Sequence, residues 1–192
     1  MKGIIKAGTS FKLTGPVLSH VAAIMTPFYM KIAGNRSFAL RWSRAVRQAN
    51  LDVLLALFKA VTPPAKLSGF SVNGIGYFID FQFPPPTLQY SNGTTIPPGT
   101  AQFTFSTPIH RAIARAVIPF YTALSKSPAY AVALASAVNA NDIARIRRLV
   151  RQKVTSKALQ AVTSDFSGVT LTFKFRGSRF LYRNLLFREI VG

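Results

Sequence analysis

Apolar positions along the chain change period twice, and those changes predict its elements. Behind Pro16, Val17, Leu18, Val21, Ile24, Met25 and Phe28 recur at helical spacing, and a proline there suits a first helical turn. Pro27 is expected to kink or end this helix, with Gly34-Asn35 as its stop. Ser37 reads as the N-cap of a second helix running to about Val61, ahead of Pro63 and Pro64. In it Leu40, Val46, Val53, Leu54, Leu57, Phe58 and Val61 form one stripe, while Arg41, Arg44 and Arg47 step by three along another side.

From Gly69 the period becomes 2. Tyr77, Ile79, Phe81 and Phe83 alternate with Phe78, Asp80 and Gln82, and Ala101, Phe103 and Phe105 with Gln102, Thr104 and Ser106, which predicts two half-buried strands. Between them the segment 84–99, with five prolines and Asn92-Gly93 in its middle, reads as a stiff loop unable to join a central sheet. Helices follow, opened by Thr107-Pro108 and Ser127-Pro128, the first interrupted by Pro119. A third begins near Asn141-Asp142 and is expected to run to about Val162, with Ile143, Ile146, Val150 and Val154 buried and Arg145, Arg148, Arg151 and Gln152 on another side.

Period 2 then returns. Val169, Leu171, Phe173 and Phe175 face one way, Thr170, Thr172, Lys174 and Arg176 the other; after a turn at Gly177-Ser178 a further strand is expected within Arg179 to Val191. Helices, two strands, helices, two strands predict an α+β fold: an antiparallel or mixed sheet of about four strands with helices packed on one face. The strand pairs recur weakly, and no internal repeat is read from them. Residues 1–14 are expected to be an extended basic arm, residues 1–62 a basic N-terminal arm with helices, and residues 63–192 the α+β body carrying the Pro-rich loop.

Composition adds charge to this picture. The 192 residues hold 24 Lys+Arg against 5 Asp+Glu, a net charge of +19, with 49% hydrophobic residues. Disorder requires low hydrophobicity beside high charge, so this chain is expected to fold. Without cysteine there is no disulfide framework and no thiolate zinc site. Asp52, Asp80, Asp142, Asp165 and Glu189 are so dispersed that a metal site would need distant segments to converge, and no metal or cofactor is expected. Met1 to Leu51 carries eight cations and no acid, a composition shared with organelle transit peptides. The apolar run Val17 to Met30 falls short of the ~20 residues needed to cross a bilayer, so no transmembrane span is expected.

Candidate chemistry lies in the cations. In the run Phe173 to Arg183, aromatics interleave with Lys174, Arg176, Arg179 and Arg183, a pattern that can present cations to phosphates and rings to bases; plain strand alternation with a solvated charged face gives the same pattern. The helix from Asn141 holds Arg145, Arg147, Arg148, Arg151, Lys153 and Lys157 against Asp142 alone. Like charges at i,i+3 and i,i+4 repel, so such a face argues for a polyanion nearby. His20 and His110 have hydroxyls close in sequence, but no nucleophile elbow, phosphate-binding glycine loop or paired carboxylates accompany them, and no enzymatic role is expected.

These features together predict a non-enzymatic structural protein of a large assembly, of virion or matrix type. It is expected to self-associate and to lay a basic face on nucleic acid or an anionic lipid surface, at a virion or membrane periphery. Its polyanion-binding residues are expected to be Arg41, Arg44, Arg47, Arg145, Arg148, Arg151, Lys174, Arg176, Arg179 and Arg183. Other assembly proteins are possible partners. The alternatives are a sequence-tolerant nucleic-acid-binding or ribosomal protein and a lipid-binding or membrane-remodelling module.

Overall fold

The computed structural model describes residues 11–165 and 167–188. Within them the chain forms six helices and six strands in the order α1 (Gly15–Gly34), α2 (Arg36–Arg47), α3 (Leu51–Lys59), β1 (Leu67–Val72), β2 (Gly76–Gln82), β3 (Gln89–Thr95), α4 (Thr107–Lys126), α5 (Pro128–Asn139), α6 (Ile143–Arg151), β4 (Leu159–Asp165), β5 (Gly168–Lys174) and β6 (Leu181–Phe187). The strands make one antiparallel sheet of order β1-β2-β3-β6-β5-β4. The fold is therefore α+β with helices on one face, and the sheet has six strands where the sequence pattern suggested about four.

The element order is the same three helices and three strands twice. Elements that start at 15, 36, 51, 67, 76 and 89 recur at 107, 128, 143, 159, 168 and 181, a constant offset of 92 residues. Local irregularities recur at the same offset. Ala49 and Asn141 both take positive φ, 49° and 51°. Asn50 and Asp142 both cap the next helix, and the register shifts at Leu67/Gly69 and again at Leu159/Ala161. The molecule is thus an internal repeat without insertions in its regular elements, although residues 15–95 match residues 107–187 at only 15 of 81 positions. In the β3–β6 ladder, a shift of 92 turns Ser91↔Phe187 into Arg183↔Thr95 and returns Gly93↔Leu185 to itself, so a pseudo-dyad pierces the sheet at that pair.

The core lies between sheet and helices. Tyr77, Ile79, Phe81, Tyr90, Val169, Leu171, Phe173, Tyr182 and Leu186 point inward and are buried, whereas the alternate positions Phe78, Gln82, Thr170, Lys174, Arg183 and Leu185 are half-buried or exposed. α1 and α4 pack on each other across the dyad, with α2 and α3 over β2 and β1 and α5 and α6 over β5 and β4. Phe28 centres an aromatic cluster in the first half, its ring 4.6 Å from Trp42, 5.5 Å from Phe58 and 5.9 Å from Tyr77. The second half keeps Phe120 but has Leu134, Val150 and Val169 at the positions equivalent to those three rings.

The dyad is also where polar side chains enter the core. Tyr29 Oη donates to Asn92 Oδ1 at 2.7 Å, Asn92 Nδ2 to Tyr121 Oη, Tyr121 Oη to Asn184 Oδ1 at 2.8 Å, and Asn184 Nδ2 back to Tyr29 Oη at 2.7 Å. These four buried side chains, two from each half and 92 apart in pairs, form a closed ring of hydrogen bonds. Burial raises the pKa of both tyrosines, so they remain neutral donors.

Several elements differ from the sequence reading. β3 lies at the sheet centre inside the segment read as a loop. Its prolines are confined to the flanks at 84–86 and 97–98, and the inward residues Asn92 and Thr94 are polar, which hides the alternation. Asn92-Gly93 is mid-strand rather than a turn, and a side chain at Gly93 would collide with the Phe78 ring and the Tyr77 carbonyl. The expected strand 101–106 is a connection with Phe103 exposed and at positive φ, because β6 already occupies the free side of β3. The expected helix 37–61 is two helices: its N-cap is Asn35, and the turn at Ala49 lets Asn50 cap Val53 N. The helix from Asp142 stops at Arg151, and residues up to Val162 supply an edge strand instead. Pro27 and Pro119 end nothing. Both lie inside 20-residue helices, where buried Phe28-Tyr29 and Phe120-Tyr121 hold the chain beyond the lost bond.

Of the expected arm, residues 1–10 lie outside the described residues. Residues 11–14 belong to the fold: Asn139 pairs both the N–H and the carbonyl of buried Leu13, at 2.9 and 2.8 Å, and Phe11 stacks near Tyr90. α1 to α3 pack in the same helical layer as α4 to α6, and the two copies of the repeat meet near residue 100.

Candidate polyanion-binding surfaces

The sequence-predicted cations occupy three places. Arg41 and Arg44 are exposed on α2, which packs against α1, α3, α4 and β2. Arg148 and Arg151 are exposed on α6, which packs against α5 and β4, with Arg145 half-buried. These two faces stand on opposite flanks of the helical layer, and they are not repeat copies. Arg41 and Arg44 correspond to Ala133 and Ser136, and Arg145 and Arg148 to Val53 and Ala56. The third place is the β5–β6 region, where Lys174, Arg176, Arg179 and Arg183 are exposed, Lys174 and Arg183 on the outer face of the sheet.

The arginine faces follow from local geometry. The stripe Ile146 and Val150 turns α6 onto β4 and α5, which leaves Arg148 and Arg151 pointing away. Asp142 at the N-cap accepts from Arg145 N, so its carboxylate serves the helix terminus. Other carboxylates are similarly engaged. Asp80 accepts from Ser91 Oγ, and Asp165 from Ser167 N and Oγ and from Gly168 N; Glu189 lies outside the described residues. Cations with side-chain partners bond carbonyl oxygens instead: Arg47 to Phe105 at 2.7 Å, Arg111 to Ala33, Arg147 to Val162, Arg188 to Thr87 and Lys174 to Arg179. The positive charge is therefore not consumed by the acids whose bonds are described.

The histidines lie apart. His110 is buried, its Nε2 2.9 Å from Tyr77 Oη, and burial pushes its pKa down to about 3, so it is neutral. His20 is exposed beside Phe83, on a cleft of about 650 Å3 between α1, the α3–β1 connection and the end of β2. A second cleft of about 350 Å3 lies in the corresponding region of the other half, between α4, the α6–β4 connection and the end of β5; of its lining, Ala112, Ser156 and Phe175 correspond to His20, Pro64 and Phe83 of the first. Arg115, Lys153, Thr155 and Ser156 line the second cleft. In the sequence Lys153 is one cation of the helix from Asn141 and Arg115 carries no signal, since the two are brought to one cleft only by the packing of α4 beside the α6–β4 connection.

Among the described residues no three His, Asp or Glu side chains come together as a metal site, and no helix is long and apolar enough to cross a membrane. No family model, curated protein or solved structure matches the chain.

Proposed function

We propose that this is a non-enzymatic, self-associating structural protein that binds a polyanion through its arginine faces, and that the polyanion is a single-stranded nucleic acid. One observation carries the reading: exposed arginines stand on opposite flanks, while Asp80, Asp142 and Asp165 bond hydroxyls and backbone N–H groups. A flat bilayer meets one flank at a time. A flexible strand can follow α6, the β5–β6 end and α2 in succession, releasing counterions at each phosphate contact.

Self-association is assigned to the outer face of the sheet. Phe78, Leu181, Leu185 and Phe187 are half-buried there, with the Phe78 and Phe187 rings 6.0 Å apart, and the helices lie on the other face. Asp80 and Arg183 stand on this face on opposite sides of the Gly93–Leu185 pair, and a second copy related by a two-fold axis crossing the line between them sets unlike charges against each other. A structural role in a large assembly of virion type follows from combining these two surfaces. The test is co-sedimentation with single-stranded RNA and with anionic vesicles at low and high salt. The reading expects RNA binding that collapses with salt; retention on vesicles with no RNA binding would refute it.

A further inference from the structure

We infer that the cleft between α4, the α6–β4 connection and the end of β5 is a phosphate-binding site for one nucleotide. The inference deepens the polyanion reading and rests on it for the source of the ligand. Its warrant is the comparison of the two halves. Where the second cleft has Arg115, Lys153, Thr155 and Ser156, the positions 92 residues earlier hold Ala23, Val61, Pro63 and Pro64. Two cations and two hydroxyls from two separate elements line the second cleft where the first half has four apolar residues, while the wall residue Phe175 keeps its counterpart Phe83; the first cleft carries instead His20 and Lys66, where the second half has Ala112 and Ala158. A structural requirement common to both halves cannot explain the difference, because the first half folds without these four side chains.

The chemistry of the four is that of phosphate recognition. Arg115 offers a fork of N–H donors and Lys153 a point charge. Ser156 Oγ accepts from Ala158 N at 3.2 Å, which leaves its hydroxyl proton free to donate outward, and Thr155 is exposed beside it. Lys153 Nζ lies 5.6 Å from the Tyr130 ring centroid on α5, a cation–π contact that leaves its positive charge in place. A volume of about 350 Å3 admits a mononucleotide, with the half-buried ring of Phe175 available to its base or sugar.

The test uses the full chain and a variant that copies the other half, Arg115→Ala with Lys153→Val, side chains the first half carries at these positions. AMP, adenosine, single-stranded RNA and vesicles containing a phosphomonoester lipid are titrated against both proteins. The site is supported if AMP binds the wild type, adenosine binds at least about tenfold more weakly, and the variant loses about tenfold or more in AMP affinity with an unchanged melting temperature. It is overturned if AMP and adenosine bind alike, if AMP binds neither protein, or if the variant binds AMP as the wild type does. It is also overturned if only the lipid vesicles discriminate the variant. Should the variant melt lower, Arg115→Gln with Lys153→Gln repeats the comparison with the side-chain stems kept. Loss of RNA binding on neutralising α6, with AMP indifferent to the cleft, sinks the cleft alone; no RNA binding by the wild type, with AMP held as expected, sinks the polyanion reading alone.

Discussion

Replacing Tyr29 with Phe deletes one hydroxyl from the ring at the dyad and breaks two of its four bonds. Asn92 Oδ1 then loses its described donor inside a dry core, while Asn184 Nδ2 keeps Thr94 Oγ1 at 3.0 Å and the Gly93 carbonyl at 3.3 Å. The cost is therefore one orphaned acceptor plus one weakened donor, about 2 kcal/mol, or a melting temperature about 4–8 °C lower for a chain of this size. Tyr121→Phe does the same on the other side, orphaning Asn184 Oδ1 while Asn92 Nδ2 keeps the Leu185 carbonyl at 2.8 Å. Pseudo-symmetry requires the two single variants to cost about the same. Because the ring is closed, the double variant should cost less than their sum, a coupling of about 0.5 kcal/mol or more in a double-mutant cycle read by urea unfolding. Single variants within about 0.5 kcal/mol of wild type, or strictly additive costs, would refute the ring as a cooperative unit.

Three further outcomes are expected. His110 is held neutral, with a folded pKa of about 3 against an ordinary value near 6.5, so its contribution is complete above about pH 6.5 and is lost as pH falls toward 3, by about 1.4 kcal/mol per pH unit. The equivalent pair in the other half is Leu18 and Val169, both buried. His110→Leu with Tyr77→Phe, which removes both polar groups and keeps the ring that packs on Phe28 and Trp42, should therefore fold and flatten that acid limb in pH-dependent unfolding, whereas His110→Leu alone should be less stable than the double variant because it strands the Tyr77 hydroxyl. Leu185→Lys should abolish self-association in sedimentation velocity without lowering the melting temperature, and an unchanged oligomer would move the contact away from the sheet face. Removing residues 1–14 should lower the melting temperature, since Leu13 is buried and doubly bonded to Asn139.

The sequence was informative wherever side-chain period coincided with burial. β2 and β5 are legible because their inward residues are apolar and their outward ones, Phe78 excepted, are polar or glycine. β3 is not, because its inward face carries Asn92, part of the ring at the dyad, and Thr94, and a polar core position reads as loop. The repeat was hidden for a related reason. Its constant features are caps, a left-handed turn and a few rings, each satisfied by several residue types: Asn35 matches Ser127, and Ala49 matches Asn141. The arginine faces were legible as helical spacing on α2 and α6, but their location on opposite flanks depends on strand order, which periodicity does not encode. Arg115 carried no signal alone; the cleft exists only once α4 meets the α6–β4 connection.

The most direct test of the polyanion reading is the salt dependence of single-stranded RNA binding by the wild type and by Arg145→Gln/Arg148→Gln/Arg151→Gln. Each phosphate contact on a single strand contributes about 0.7 to the slope of log affinity against log salt, so the triple variant should bind more weakly and with a slope shallower by about two. Its melting temperature should be unchanged or slightly higher, because mutual repulsion on α6 is relieved. An unchanged slope at unchanged stability would show that α6 does not face the polyanion.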